Sequence, residues 1–258
     1  MKRLALALAA LVITMNARAE IKTETVEYTQ DGATYEGFLA YDNAVQGKRP
    51  GVLIAHQWKG LGANEKKRAE MLAQLGYVAF ALDIYGKGIR PQSPAEAGQL
   101  AGRYKGDRPL LRRRAIAGLE VLEKQPFCDT SKLAVIGYCF GGTTALELAR
   151  SGAPVKAAVS FHGGLSSPTP ADAANIKGKV LVLHGADDPN VPPPEVAGFE
   201  KEMRDARVDW QLIAYGGAVH SFTDWNAGND NSKGAAYNEK ADRRSWEAMK
   251  QLFAETLR

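Results

Sequence analysis

The chain predicts an α/β fold: a mostly parallel central sheet with helices on both faces and an antiparallel hairpin at its N-terminal end. Three observations carry that expectation. Continuous apolar runs such as GVLIAH (51–56) and KVLVLH (179–184) have the length and β-branched content of strands covered on both sides. They alternate with stretches of helical spacing, which makes successive strands parallel through crossover helices. A length of 258 residues with 45% hydrophobic content is enough to bury a full core, so residues 20–258 are read as one domain.

Residues 1–19 differ in kind. Lys2 and Arg3 precede an apolar run over 4–15, and Ala17, Arg18 and Ala19 form a small-x-small cleavage pattern. The expectation is a removed signal peptide and a periplasmic or secreted protein with no stable membrane anchor afterwards, because the run is short for a membrane span. Loss of Lys2, Arg3 and Arg18, with no acid, lowers the formal charge from +4 to +1. A near-neutral mature chain has no electrostatic motive for nucleic acid. The cluster Arg112, Arg113 and Arg114 alternates with apolar residues and reads as a solvated helix face.

The elements follow in order. IKTETVEYTQ and ATYEGFLAYD are β-rich runs joined by Asp31-Gly32, a hairpin signal, and form an antiparallel edge. GVLIAH is the first buried strand, with Gln57, Trp58, Lys59 and Gly60 in the loop behind it. A helix over 64–75 stops at Gly76, and YVAFALDIYG (77–86) is the next strand. Residues 86–108 are rich in Gly, Pro and polar side chains, with a short helix near 94–104; such an excursion after a strand commonly covers a site. A helix over 109–124 leads to the central unit. Beyond it lie strands at 155–163, 179–188 and 210–220, a helix over 194–205 and a final helix over 236–257.

The central unit is LAVIGYCFGGTTALEL (133–148): a short strand, a glycine-flanked turn and a helix. Glycines on both sides of Cys139 let the backbone turn so tightly that its thiol stands clear of both elements. A helix N-terminus behind it favours a thiolate and a neighbouring oxyanion. The other cysteine, Cys128, sits at the far end of the same strand, on the order of 20 Å away, beyond the reach of a disulfide. Spaced Cys/His sets that would suggest zinc are missing, and the chemistry calls for no cofactor.

Reactive groups in such sheets collect at the carboxyl ends of strands. Asp187 and Asp188 follow one strand and His220 follows the last, in the order nucleophile, acid, base. His220 would take the thiol proton and an Asp would hold its tautomer. Of the four histidines, His56, His162 and His184 end strands and read as hydrogen-bonded structural residues, whereas His220 lies in a glycine-rich loop.

On IAHQWKGL, GYCFGG, ADDPNVP and AVHSF, in that order, the mature chain resembles the dienelactone hydrolase family of the α/β-hydrolase fold. The resemblance implies a cysteine hydrolase of small-molecule esters or lactones with Cys139, Asp188 and His220 as its triad. Asp188 is the family's acid because it stands four residues before Pro192 in the x-x-V-P context. The backbone N–H groups of Phe140 and Trp58 would form the oxyanion hole. Two positions depart from the pattern. Gln57 stands where the family carries a Glu beside the resting thiol, and Asp224 where the dienelactone enzymes carry an Arg that binds a substrate carboxylate. A neutral amide beside Cys139 would allow a thiolate–imidazolium pair before substrate arrives. A non-catalytic binding protein of the same fold is the alternative reading, resting on Gln57. The sequence says nothing of oligomeric state.

Overall fold

The computed structural model describes residues 20–258, so the expected signal peptide lies outside the described residues. Strands β1 (Ile21–Gln30) and β2 (Ala33–Asp42) form the N-terminal hairpin, in which Gln30 pairs with Ala33. Both turn residues have positive φ, Asp31 at 50° and Gly32 at 75°, the conformation that matches the twist of paired strands. The hairpin joins the main sheet antiparallel, β2 against β4 (Val78–Ala81). The remaining strands are parallel: β3 (Arg49–Ala55), β5 (Cys128–Tyr138), β6 (Ala157–Phe161), β7 (Lys179–Gly185) and β8 (Trp210–Tyr215), in the spatial order β1-β2-β4-β3-β5-β6-β7-β8. The chain therefore reverses its winding at β3, which lies between β4 and β5. Crevices at such reversals, beyond the carboxyl ends of strands, are where ligands bind.

Period-two side chains divide the strands between two cores. Leu53 and Ala55 of β3, with Leu133 and Val135 of β5, pack against helices α2 (Pro94–Gly106), α3 (Arg108–Glu123) and α4 (Phe140–Arg150). Val52 and Ile54, with Ala134, Ile136 and Tyr138, face α1 (Ala63–Gln74) and α6 (Glu239–Thr256). Helix α5 (Pro193–Asp205) sets Phe199 and Met203 against Val180 and Val182 of β7 and Leu146 of α4. Covering on both faces is why these strands read as unbroken apolar runs.

Several boundaries differ from the pattern-based expectation. Strand β4 stops at Ala81 because buried Asp83 bends the chain away, its carboxylate accepting the Tyr85 and Gly86 amides at 3.1 and 3.2 Å. Strand β8 stops at Tyr215, where Gly217 turns at φ 73° and donates its amide to Asp187 at 3.0 Å. Helix α6 begins at Glu239 because the Asn238 side chain caps it, accepting the Ala241 amide at 3.1 Å. Strand β5 starts early, at Cys128, and shifts register against β3 between Pro50 and Gly51. Cys128 and Cys139 are free thiols at opposite ends of that strand. The arginine cluster is not a solvated face as a whole. Arg112 pairs with Glu147 and Asp172 at 2.8 and 2.7 Å and Arg114 pairs with Asp31 at 3.0 Å, while Arg113 is exposed. Acids from other elements draw those two guanidinium groups inward. Among the described residues no helix is long and apolar enough to cross a membrane.

Candidate active site

The site grows out of the turn between β5 and α4. Cys139 has φ 55° and ψ −116°, a conformation that L side chains rarely adopt. It is possible because the neighbouring backbones nearly touch: a Cβ on Gly137 would lie 1.9 Å from the Gly141 carbonyl oxygen, and one on Gly141 would lie 2.1 Å from that of Ala55. The sharp turn lifts the Cys139 sulfur off the sheet edge at the point where the winding reverses.

The loop after β8 brings His220 to it. The His220 Nε2 is 3.1 Å from Cys139 Sγ and its Nδ1 is 2.8 Å from Asp188 Oδ2. The other oxygen of Asp188 accepts the Asn190 amide at 2.8 Å, and the side chain is fully buried. Asp187 faces away, exposed, and accepts the Gly217 amide. The segment after β8 clamps His220 from the other side: its amide donates to the Gly234 carbonyl at 3.2 Å and its carbonyl accepts the Ala236 amide at 3.0 Å. Burial alone would depress the His220 imidazole. The charge on Cys139 and the hydrogen bonds to Asp188 and Cys139 outweigh that and raise it to about 10. Cys139, His220 and Asp188 thus form one hydrogen-bonded line.

Cys139, Phe140, Trp58 and His220 open onto one cavity of about 450 Å³. Helix α2 forms its roof with Gly98, Ala101, Gly102 and Lys105, so the segment over 86–108 does cover the site. Ser93 caps α2 by accepting the Glu96 amide, and Asp107 ends it and caps α3 in turn. Trp58 is fixed by its carbonyl, which accepts the Tyr85 hydroxyl at 2.9 Å. Trp58 and Phe140, the first residue of α4, both line the cavity into which the sulfur opens.

Gln57 has acidic partners of its own. Its side-chain amide donates to Asp224 Oδ2 at 3.3 Å, and its backbone amide donates to the buried Glu65 at 3.2 Å. The thiol's own partner is His220. The two positions that depart from the family pattern, Gln57 and Asp224, are thus partners of each other. The remaining histidines divide. His56 is enclosed, donates from Nδ1 to the Gln57 carbonyl at 2.6 Å and accepts the Ile84 amide at 3.1 Å; burial lowers it to about 4. His184 leaves a buried Nδ1 without a partner among the described residues, contrary to its reading as hydrogen-bonded. His162 does more than fill space, since its Nδ1 accepts the Cys139 amide at 3.2 Å. Sequence reasoning also missed Thr143, Asn190 and Ala235 in the cavity wall; Thr143 and Asn190 stand within the quoted motifs without a role of their own, and Ala235 is gathered only by the fold. Among the described residues no group of three or more His, Cys, Asp or Glu is placed to hold a metal ion.

The family model for the dienelactone hydrolase family matches residues 35–257. The chain belongs to that family. A relative in Aquifex aeolicus named "Putative carboxymethylenebutenolidase" is 28% identical over 91% of this chain and 99% of its own. A solved structure described as a dienelactone hydrolase-like promiscuous phosphotriesterase from metagenomic libraries is 44% identical, with a TM-score of 0.89, over 93% of this chain and all of that one. A structure from Klebsiella pneumoniae described as a "Putative Dienelactone Hydrolase", 22% identical over 91% of this chain and 99% of its own at a TM-score of 0.77, shares the fold. This dienelactone hydrolase-family protein is a hydrolase of the lactone and ester type acting on small molecules.

Proposed function

We propose that this protein cleaves a carboxylic ester or lactone through an acyl-cysteine intermediate. The observation that supports it most is the unbroken line Asp188–His220–Cys139, with contacts of 2.8 and 3.1 Å, ending in the cavity. The Cys139 thiolate attacks the substrate carbonyl carbon and forms the C–S bond. The oxyanion lies against the Phe140 and Trp58 amides, and the imidazolium of His220 gives its proton to the departing alkoxide. A water, deprotonated by His220, then attacks the thioester and Cys139 leaves again as thiolate. Asp188 keeps Nδ1 protonated throughout, so that Nε2 is the nitrogen that trades protons.

The test is a burst of product from an activated aryl ester, with the acyl group mapped by mass to Cys139. A protein that binds such esters without a burst or turnover would instead be the non-catalytic binding protein. Relatives named carboxymethylenebutenolidase suggest lactones for the first substrate screen, although Asp224 is unsuited to a substrate carboxylate. The name of the 44%-identical neighbour makes neutral aryl phosphotriesters the second set to try. We also propose that the protein works in the periplasm or outside the cell; intact mass of the exported protein should give a chain starting at Glu20, and an uncleaved cytoplasmic chain would refute it.

A further inference from the structure

We propose that His162 and Thr223 are a positioning pair for the nucleophile: Thr223 holds the His162 imidazole in one tautomer, and that tautomer holds the backbone amide of Cys139. The inference rests on the reading of Cys139 as the nucleophile, but concerns two residues that have no part in the triad.

The need for such a device follows from the strained backbone at Cys139, which persists only where its surroundings hold it. The Cys139 amide is held twice, donating to the Phe161 carbonyl at 3.0 Å and to His162 Nδ1 at 3.2 Å. An imidazole nitrogen can accept only when it carries no proton. The neutral ring then carries its proton on Nε2, which faces the Thr223 hydroxyl oxygen at 2.7 Å and donates to it. Thr223 is fully buried, and its carbonyl accepts from Arg68, which is paired with Asp242 and so ties α1, α6 and this loop together. The direction of the His162 ring is set by its own backbone, at φ 41°, with its amide donating to the Leu183 carbonyl at 2.8 Å.

The surroundings of the ring keep it neutral. It is 1% exposed. The His220 ring meets it edge-on at 5.3 Å from the catalytic loop, Phe222 lies at 5.1 Å, Tyr138 of β5 lies at 6.2 Å, and Arg68 approaches from α1. Burial first, and then the charge on His220, hold His162 well below the usual imidazole range. A ring with its proton moved to Nδ1 would set one donor against another at Cys139. The turn would then relax and the sulfur would drift from its 3.1 Å contact with His220. A histidine serving only to fill the core would have no such link to the thiol's reactivity.

The experiment compares Thr223→Val with Thr223→Ser in the otherwise natural protein. Valine keeps the shape and removes the hydroxyl; serine keeps the hydroxyl. The first readout is the pH dependence of iodoacetamide alkylation, mapped to Cys139 by mass, which needs no substrate and stands even if no ester is turned over. Thr223→Val should raise the midpoint by about one pH unit and slow alkylation at pH 7 about tenfold, with Thr223→Ser within about twofold of the natural protein. If the protein turns over an aryl ester, kcat should fall in the valine variant with KM nearly unchanged. The second readout is the nitrogen NMR signature of His162 in the natural protein, expected to show Nδ1 bare and Nε2 protonated; it decides the matter even if the valine variant fails to fold. A valine variant that only melts earlier, with its alkylation profile unmoved, or a natural protein with Nδ1 protonated, would overturn the proposal.

Discussion

The turn at Cys139 and helix α2 meet at the same cavity, and each uses glycines for an opposite physical reason. At the turn, side chains on Gly137 or Gly141 would enter occupied backbone, 1.9 and 2.1 Å from carbonyl oxygens. On α2, a Cβ at Gly98 or Gly102 would meet nothing within 4 Å. The turn uses glycine to let backbones touch, and α2 uses it to leave the cavity roof bare. A glycine inside a helix costs about 1 kcal/mol relative to alanine, so the roof gives up some stability for room. The nucleophile side of the cavity is therefore over-determined and the roof under-determined, and variants should separate the two.

The largest effect is expected at the turn. Gly141→Ala should destabilise the protein by about 3 kcal/mol or more, since backbone has nowhere to move, and thermal unfolding would show a much lower midpoint or no folded protein. A variant that melts normally would mean the turn is looser than described. Next come the reacting groups. Cys139→Ala or His220→Ala should lower turnover of an aryl ester by on the order of a thousandfold or more with the fold retained. Asp188→Asn should cost nearly as much, and Asp187→Asn less than about threefold, because only Asp188 touches His220. A more damaging change at Asp187 would reverse the assignment.

The electrostatics of the turn give a pH prediction. His220 is raised to about 10 by groups that include Cys139, so in Cys139→Ala its NMR titration should move down, towards the ordinary 6.5 or below it. Because the folded value lies above the unfolded one, protonated His220 contributes stability that is complete below about 6.5 and lost as the pH rises towards about 10. Unfolding midpoints of the natural protein and Cys139→Ala should therefore converge across that interval; parallel curves would deny Cys139 a part in raising His220.

Two smaller effects test the periphery. Gln57→Glu would set a carboxylate beside Asp224, 3.3 Å from the present amide, and should destabilise by about 1 kcal/mol at neutral pH. That loss should disappear as the pH falls below the carboxylate range, or when Asp224→Asn is added. If the thiol's alkylation midpoint rises instead with stability unchanged, Gln57 faces the nucleophile after all. The smallest change belongs to the roof: Gly98→Ala or Gly102→Ala should stabilise by about 0.5 to 1 kcal/mol, while Gly102→Leu should reduce turnover of bulky esters more than of acetates.

Much of this contrast was legible beforehand and part of it was not. The glycine-flanked Cys139, the hairpin at Asp31-Gly32 and the apolar strands were readable because each is a local pattern, imposed by backbone sterics or by period-two burial within a few residues. The helix of the roof was readable too, near 94–104, but that its glycines face open space was not. The arginine cluster looked solvated because its acidic partners, Asp31, Glu147 and Asp172, lie elsewhere in the chain.

By itself the sequence determined the fold class, the sharp turn and the thiol placed on it, and the set of acids and histidines that could serve it. Tertiary structure alone decided which of them meet. It brought Asp188, which the x-x-V-P context already favoured over Asp187, to His220 across 32 residues of chain, and set His220 against Cys139 across 81. It turned Gln57 to Asp224, 167 residues away, and set His162 on the nucleophile's amide. Periodicity and turn chemistry act over one or two turns of chain, whereas a hydrogen bond between distant residues depends on distances of a few tenths of an ångström that only the packed sheet and its helices establish.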